Sequence, residues 1–287
     1  DSGSPQAPGP VIEKFKTSPP LFPFKSHGDL WLTTWADDDS VFLSWGDGYG
    51  PLYDDETPFS HHGLARLTGD FPGDVRVEVV RRFMPLSDDE NNSKPTSLLF
   101  LDGRLYVAIH SPLLTPDKGF IAYSDDYGET FHYDLEKART KEQNPNFVCL
   151  IFINMGKAYA LNEDGFVYAF GVPGEINTTG DVFLARMPAG GILTESTWQY
   201  LVRAGAEPQW SADWRDAKKL PGLSSQSYSS MFPNLLFAGA YHPGIGRYIV
   251  MTATSVEGKL YEAPRPWGPW TCAGAWFMRS SNRACPR

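Results

Sequence analysis

The chain is short of several things. Only three of its 287 residues are cysteine, so a disulfide-dense scaffold is excluded and a hydrophobic core has to hold the fold. No apolar run approaches the roughly 18 to 20 residues that cross a bilayer, and no charged-then-apolar leader opens the chain. It is therefore expected to be soluble, without a membrane partner, and already processed. Basic residues are in deficit, 25 Lys and Arg against 34 Asp and Glu, for a formal net charge of -9. A nucleic-acid partner needs a basic patch to neutralise phosphate and none is visible, so a neutral glycan is the better expectation. Helical periodicity is scarce as well. Its best candidate is the short stretch Ser211 to Lys219.

What is present points to sheets. Hydrophobic residues make up 41% of the chain and aromatics 14%, beside 27 Gly and 24 Pro. Strand formers and turn formers are thus abundant together, the mark of an all-β globule. Residues 1–25 carry Pro5, Pro8, Pro10, Pro19, Pro20 and Pro23 and read as an extended arm, leaving 26–287 as a single β domain.

Within that domain a hairpin pattern recurs four times. Leu30 to Trp35 turns through Asp37 to Ser40 into Val41 to Trp45. Ser97 to Leu101 turns at Asp102-Gly103 into Arg104 to Ile109. Lys157 to Leu161 turns at Asp164-Gly165 into Phe166 to Phe170, and Leu235 to Tyr241 turns through Pro243 to Gly246 into Arg247 to Thr252. Hairpins at such intervals fit the four-stranded antiparallel blades of a β-propeller. An Asp-box, Ser124 to Phe131, follows the second hairpin and reads as a structural turn.

An antiparallel hairpin puts the start of its first strand and the end of its second at one end of the sheet. In the first hairpin that end receives Asp29 and Asp47. The turn acids Asp37, Asp38 and Asp39 fall about 20 Å away for a six-residue strand. Strands about 4.8 Å apart put the two open-end carboxylates roughly 5 to 10 Å from one another, a range covering both glycosidase geometries. The same rule gives Ser97 and His110 from the second hairpin, Asn154 and Lys157 from the third, and Gln226, Ser227 and Tyr228 before the fourth. Trp31, Trp35 and Trp45 are candidates to stack on sugar rings, although alternation along a strand also buries such side chains.

His61-His62 lacks the spacing of a metal-ligand set, so no zinc is expected. No cofactor is implied either; an ion in a central channel suits a propeller, but no ligand run predicts one. Sequons at Asn91 and Asn177 fall in polar stretches where a glycan would sit on the surface. Cys272 and Cys285 lie in a tail read as irregular and are expected to pair, whereas Cys149 sits in an apolar run and reads as buried. Together these lean towards a secreted, extracellular glycoprotein.

The chain also resembles a known family. Gly28-Asp29-Leu30-Trp31, Thr34 to Asp38 and Trp45-Gly46-Asp47-Gly48 look like the opening blade of the five-bladed β-propeller glycoside hydrolases that degrade D-arabinan. Further matches are Phe152 to Tyr159, Gly165 to Tyr168, Val182 to Pro188, Trp210 to Asp213, Glu262 to Pro264 and Trp267 to Trp270. The resemblance implies five blades, an arabinan-like furanosidic polysaccharide or oligosaccharide as substrate, and an acidic pair at Asp29 and Asp47. By analogy Asp29 would be the general base and Asp47 the general acid, with Trp31, His110, Asn154, Lys157 and Tyr228 placing the substrate. A monomer is expected. The rival readings are a carbohydrate-binding propeller without catalysis, a polysaccharide lyase using Tyr228 or His110, and a sialidase-like enzyme. The last would need clustered arginines, and those here are scattered. One departure stands out: after Trp270 no strand-rich segment is expected to complete a fifth blade.

Overall fold

A computed structural model describes residues 11–13, 24–70, 73–114, 117–173, 180–223, 235–253 and 257–278. All of its regular structure there is strand, apart from single-turn 3-10 segments. The strands form hydrogen-bonded sheets of five, nine and four members, and the nine-stranded one divides into two meanders.

The first meander begins with β1 (Ser26–Asp29) and β2 (Thr33–Trp35), which pair one after the other along β3 (Val41–Pro51). It continues outward through β4 (Ser60–Asp70) and β5 (Asp74–Arg81). The second runs β6 (Lys94–Leu101), β7 (Arg104–Ser111), β8 (Lys118–Ser124) and β9 (Arg139–Thr140). The third runs β10 (Cys149–Asn154), β11 (Phe166–Val172), β12 (Phe183–Pro188), β13 (Gln199–Arg203) and β14 (Gln209–Ser211). The fourth runs β15 (Leu235–His242), β16 (Arg247–Ala253), β17 (Glu257–Ala263) and β18 (Thr271–Met278). β10 and β15 pair in parallel at Ile153 with Gly239 and Asn154 with Ala240, which joins the third meander to the fourth.

The described residues thus hold four meanders of blade type. The tail expected to be irregular supplies β18 and finishes the outer edge of the fourth. Cys272 lies on that strand and is disulfide-bonded, while Cys285 lies outside the described residues, as do Asn177 and Gln226 to Tyr228. Of the arm, residues 11–13, 24 and 25 are described, and the Val11 and Ile12 backbone amides both donate to the buried Glu262 on β17, at 2.5 and 3.2 Å. The arm therefore reaches the fourth meander.

The innermost strands are laced by polar side chains that reach the backbone of the next blade. Thr34 on β2 accepts from the Phe100 amide on β6 at 3.0 Å. Ser97 on β6 accepts from the Phe152 amide on β10 at 2.9 Å, and the Thr96 hydroxyl donates to the Leu150 carbonyl at 2.8 Å. These bonds satisfy backbone groups that would otherwise be buried unpaired, at a cost of about 1 to 3 kcal/mol each.

Between the meanders the core is aromatic and aliphatic. Phe42 and Phe100 stack at 6.1 Å between the first and second. Each such fully buried ring contributes on the order of 1.5 to 3 kcal/mol. Trp45 is wholly buried and lies flat on β4, where a Cβ added at Gly63 would come within 2.0 Å of its ring. Only glycine leaves room there.

Two local expectations change, and the reading of the Asp-box as a structural turn is borne out. The third hairpin starts at Cys149–Asn154, not at Lys157 to Leu161. CLIFIN is a continuous apolar run, as a strand covered on both faces requires, whereas Lys157–Tyr159 is a 3-10 turn whose Ala158 and Tyr159 have positive φ. Ser211 to Lys219 holds one 3-10 turn, Trp214–Asp216, capped by the Asp213 carboxylate, and no α-helix. The Asp-box is a closed turn: the Asp126 carboxylate accepts from Ser124, from the Thr130 amide and from the Thr130 hydroxyl.

Candidate functional site

Asp29 and Asp47 come together at one end of the first meander because glycines let β1 and β3 approach. Asp29 is paired with Gly46, beside a break in register. A Cβ at Gly46 would lie 2.8 Å from Asp29 Oδ1, and one at Gly48 would lie 2.3 Å from the His27 carbonyl. The acids therefore sit on a backbone crossing that side chains would push apart. Asp47 itself has φ 40 and Leu30 φ 51, left-handed values that cost a non-glycine residue about 1 kcal/mol or more.

The two carboxylates have unlike surroundings. Asp47 Oδ1 meets His61 Nδ1 at 2.6 Å and accepts from Lys94 Nζ. Lys94 Nζ is also 3.0 Å from His61 Nδ1 and donates to Asn92 Oδ1 at 2.5 Å, while His61 Nε2 reaches Asp89 at 2.9 Å. Asp47 Oδ2 accepts no hydrogen bond from the described residues and is free to take a water or a sugar hydroxyl. Burial alone would raise the Asp47 pKa, but the Lys94 and His61 hydrogen bonds and charges outweigh it and hold the carboxyl below its ordinary value. Asp29 is accessible to solvent and makes no ion pair with a described residue. Desolvation by its surroundings and then the Asp47 charge push it up, against a smaller lowering by Lys94.

A ledge of rings runs out from this pair. His61 stands edge-on to Phe59 at 5.2 Å, Phe59 edge-on to Tyr49 at 5.8 Å, and Tyr49 stacks with Tyr53 at 5.5 Å. His27 packs on both tyrosines, at 4.9 and 5.9 Å. Phe59 is 42% exposed. Trp31, half-buried, donates its indole N–H to the Gly28 carbonyl at 3.1 Å, which fixes the ring two residues from Asp29.

The remaining predicted positions do not gather here in the same way. His110 stands opposite Lys94 in the β6–β7 register, at this end of the fold. It is buried, with Nε2 2.5 Å from Asp117 Oδ1. Burial pulls its pKa down, but Cys149 and Asp117 outweigh that and push it up to about 10. The ring is spent on internal partners. Asn154 lies at the far end of β10, where Oδ1 accepts from Thr34 at 2.7 Å and Nδ2 donates to the Leu98 carbonyl at 3.0 Å. Lys157 pairs with Asp39 at 2.7 Å, on the turn of the first hairpin. The expectation that Asn154 and Lys157 share the end that holds Asp29 and Asp47 is therefore corrected: the misplaced start of the third hairpin had reversed its ends. Asn91 donates its amide to Asp88 at 2.8 Å, and Ser93 of the same sequon is buried. Cys149 is a free, buried thiol, as expected.

Two site residues escape the sequence reading, Lys94 and His61. The sequence pattern starts the second hairpin at Ser97, but β6 runs back through a register shift between Pro95 and Ser97 to Lys94. The rule that selected Asp29 and Asp47 would otherwise have selected Lys94. His61 is the residue that β4 sets beside Asp47, between the register pairs Gly46 with His62 and Gly48 with Ser60.

No family model and no curated protein matches the chain in sequence. Solved structures do match in fold. A GH43_1 enzyme from Xanthomonas citri, complexed with xylotriose, superposes with a TM-score of 0.51 at 12% identity, over 90% of this chain and 75% of that one. An exo-β-1,3-galactanase from Phanerochaete chrysosporium, with β-1,3-galactotriose, gives 0.51 at 9% identity, over 85% of this chain and 49% of its own length. At such identities the likeness is one of fold.

Proposed function

We propose that the chain is a glycoside hydrolase that cleaves an arabinan-like furanosidic glycan at Asp29 and Asp47. The observation that carries this reading is the unlike setting of two neighbouring carboxylates, Asp47 held by Lys94 and His61 and Asp29 without an ion pair among the described residues, which moves their pKa values in opposite directions. Paired acids with diverging pKa values are what acid–base hydrolysis of a glycosidic bond requires.

The split favours Asp29 as the proton donor and Asp47 as the ionised partner, the reverse of the assignment by analogy. A carboxylate held by Lys94 gives up a proton too readily to remain an acid at neutral pH. In the step we envisage, Asp47 takes a proton from water as the water oxygen bonds to the anomeric carbon. The bond from that carbon to the leaving oxygen breaks, and this oxygen receives the Asp29 proton. Trp31 and the Tyr49–Tyr53–Phe59 ledge offer apolar faces for the sugar rings. Support comes also from the fold shared with proteins that bind xylotriose and galactotriose. We further propose that the four described meanders belong to a five-bladed ring and that the protein works outside the cell, where the Cys272 disulfide persists.

The test is release of reducing sugar from arabinans and other furanose glycans by the unmodified protein, Asp29→Asn and Asp47→Asn. Loss of activity in both variants, each still melting cooperatively as a folded protein, supports the proposal. Glycans that bind without being cleaved would overturn it in favour of a binding propeller.

A further inference from the structure

Away from the acid pair, a cleft of about 430 Å³ lies between the outer edge of the second meander and the third. It shares no lining residue with the Asp29–Asp47 network. Its lining includes the ring of Tyr133, which is 43% exposed, and the aliphatic side chains of Ile192 and Leu193. At the rim Lys137 pairs with Asp134 at 3.5 Å, so those two charges cancel.

Arg139 and Glu195 are the charged groups of the lining that are not exposed, whereas His132, Asp134 and Lys137 are exposed. Arg139 is 4% exposed, lies 5.4 Å over the Trp198 ring and donates Nε to the Phe147 carbonyl at 2.7 Å. Its Nη2 is buried with no acceptor. A guanidinium N–H left unpaired at that depth costs several times an ordinary hydrogen bond and is rare without an unseen partner. Glu195 is the complement: Oε1 accepts from Asn144 at 2.6 Å and from Tyr200 at 3.0 Å, while Oε2 accepts nothing from the described residues. Burial lowers the Arg139 pKa and the Glu195 charge counters it, so the two groups lie within electrostatic reach.

An incompletely paired guanidinium and an incompletely paired carboxylate in one lining, with an exposed ring and aliphatic side chains in the same lining, match one chemistry best. An apolar ligand would leave Arg139 unpaired, and a carboxylate or phosphate would face the Glu195 charge. We propose that this cleft is a non-catalytic carbohydrate site that holds one neutral sugar unit by a vicinal diol. One hydroxyl oxygen accepts from Arg139, its neighbour donates to Glu195, and the C–H face of the ring lies on Tyr133. The chemistry is read from the cleft alone, so it stands or falls separately from hydrolysis at the acid pair.

The experiment uses the full chain carrying Asp29→Asn and Asp47→Asn, so that saccharides are not consumed. It is titrated with arabinotriose, xylotriose, β-1,3-galactotriose and, as an anionic control, galacturonate, while hydrogen exchange is followed. The expected result is protection of residues 132–139 and 192–198 by at least one neutral trisaccharide. Adding Tyr133→Ala or Glu195→Gln should weaken it about tenfold, roughly the 1.4 kcal/mol of one lost polar or stacking contact. Glu195 also anchors Asn144 and Tyr200, so if Glu195→Gln melts early the exposed Tyr133→Ala carries the test. No protection by any neutral saccharide, unchanged binding in both variants, or protection by galacturonate alone would overturn the proposal. A protein that cleaves glycans yet shows no protection here loses this site and keeps its hydrolase function. Protection without cleavage does the reverse.

Discussion

The first hairpin carries acids at both ends, and the two ends have opposite fates. At the turn each of three consecutive aspartates has a partner of its own: Asp37 accepts from the Tyr127 hydroxyl at 2.8 Å, Asp38 is bound by Arg66 and by Ser40, and Asp39 pairs with Lys157. At the open end Lys94 and His61 attach to Asp47 and leave Asp29 without an ion pair among the described residues. The density of carboxylates is similar, so acidity does not mark a site. What distinguishes the open end is incomplete neutralisation, which leaves one acid raised, its neighbour lowered, and an Asp47 oxygen open to solvent.

The largest effect expected from breaking this contrast is on turnover. Asp29→Asn or Asp47→Asn should each lower kcat/KM by about 10²- to 10⁴-fold, the usual range for an acid or base. Asp37→Asn and Asp39→Asn should stay within about twofold, because surface ion pairs contribute roughly 0 to 1 kcal/mol. A comparable loss from the turn acids, measured as reducing sugar released, would erase the distinction.

Support beneath the open end comes next. Gly63→Ala should destabilise the fold by about 1 to 3 kcal/mol, since its methyl would overlap Trp45 and force β3 away from β4. The check is a urea midpoint, with Gly103→Ala on the second hairpin for comparison. A Cβ there meets nothing within 4 Å, so that variant carries only the strain of its positive φ.

A sharper test separates the two acids by pH. Lys94→Met removes the hydrogen bond and charge that lower Asp47 and the charge that restrains Asp29. Both pKa values should then rise, moving the acidic and basic limbs of the kcat/KM profile upward together. A profile that stays in place would sever Lys94 from the site.

The smallest effect is on stability, and its sign differs between the acids. Asp29 has a raised folded pKa, so it favours the fold at acid pH and loses that contribution as pH rises through the folded value. At pH 7 Asp29→Asn should therefore raise Tm. Asp47 has a lowered folded pKa; its contribution is present above the unfolded value and lost as pH falls through the folded one. Asp47→Asn should thus lower Tm at pH 7, and equal shifts in the two variants would contradict the split.

Much of this was legible before any coordinates. The turns at Asp102-Gly103 and Asp164-Gly165, the hairpins around Asp37 to Ser40 and Pro243 to Gly246, and the Asp-box are local signals. Backbone conformation and nearby hydrogen bonds settle them within a few residues. Asp29 and Asp47 were legible for a related reason, since strand alternation and hairpin geometry assign residues to an end of a sheet. Elements whose form depends on distant cover were misread. CLIFIN is a strand only because the meanders on either side bury it, and Lys94 belongs to β6 only because a bulge absorbs Pro95.

The sequence by itself determined the β class, four hairpin turns and the pairing of two particular carboxylates at one end of the first hairpin, because turn chemistry and two-residue periodicity act over short range. Tertiary structure alone decided that Lys94 and His61 attach to Asp47, that Asn154 and Lys157 serve the opposite end, and in which direction the pKa values of Asp29 and Asp47 move. Those outcomes depend on desolvation and charge contributed by strands far apart in the chain, and such forces act only once the meanders are packed together.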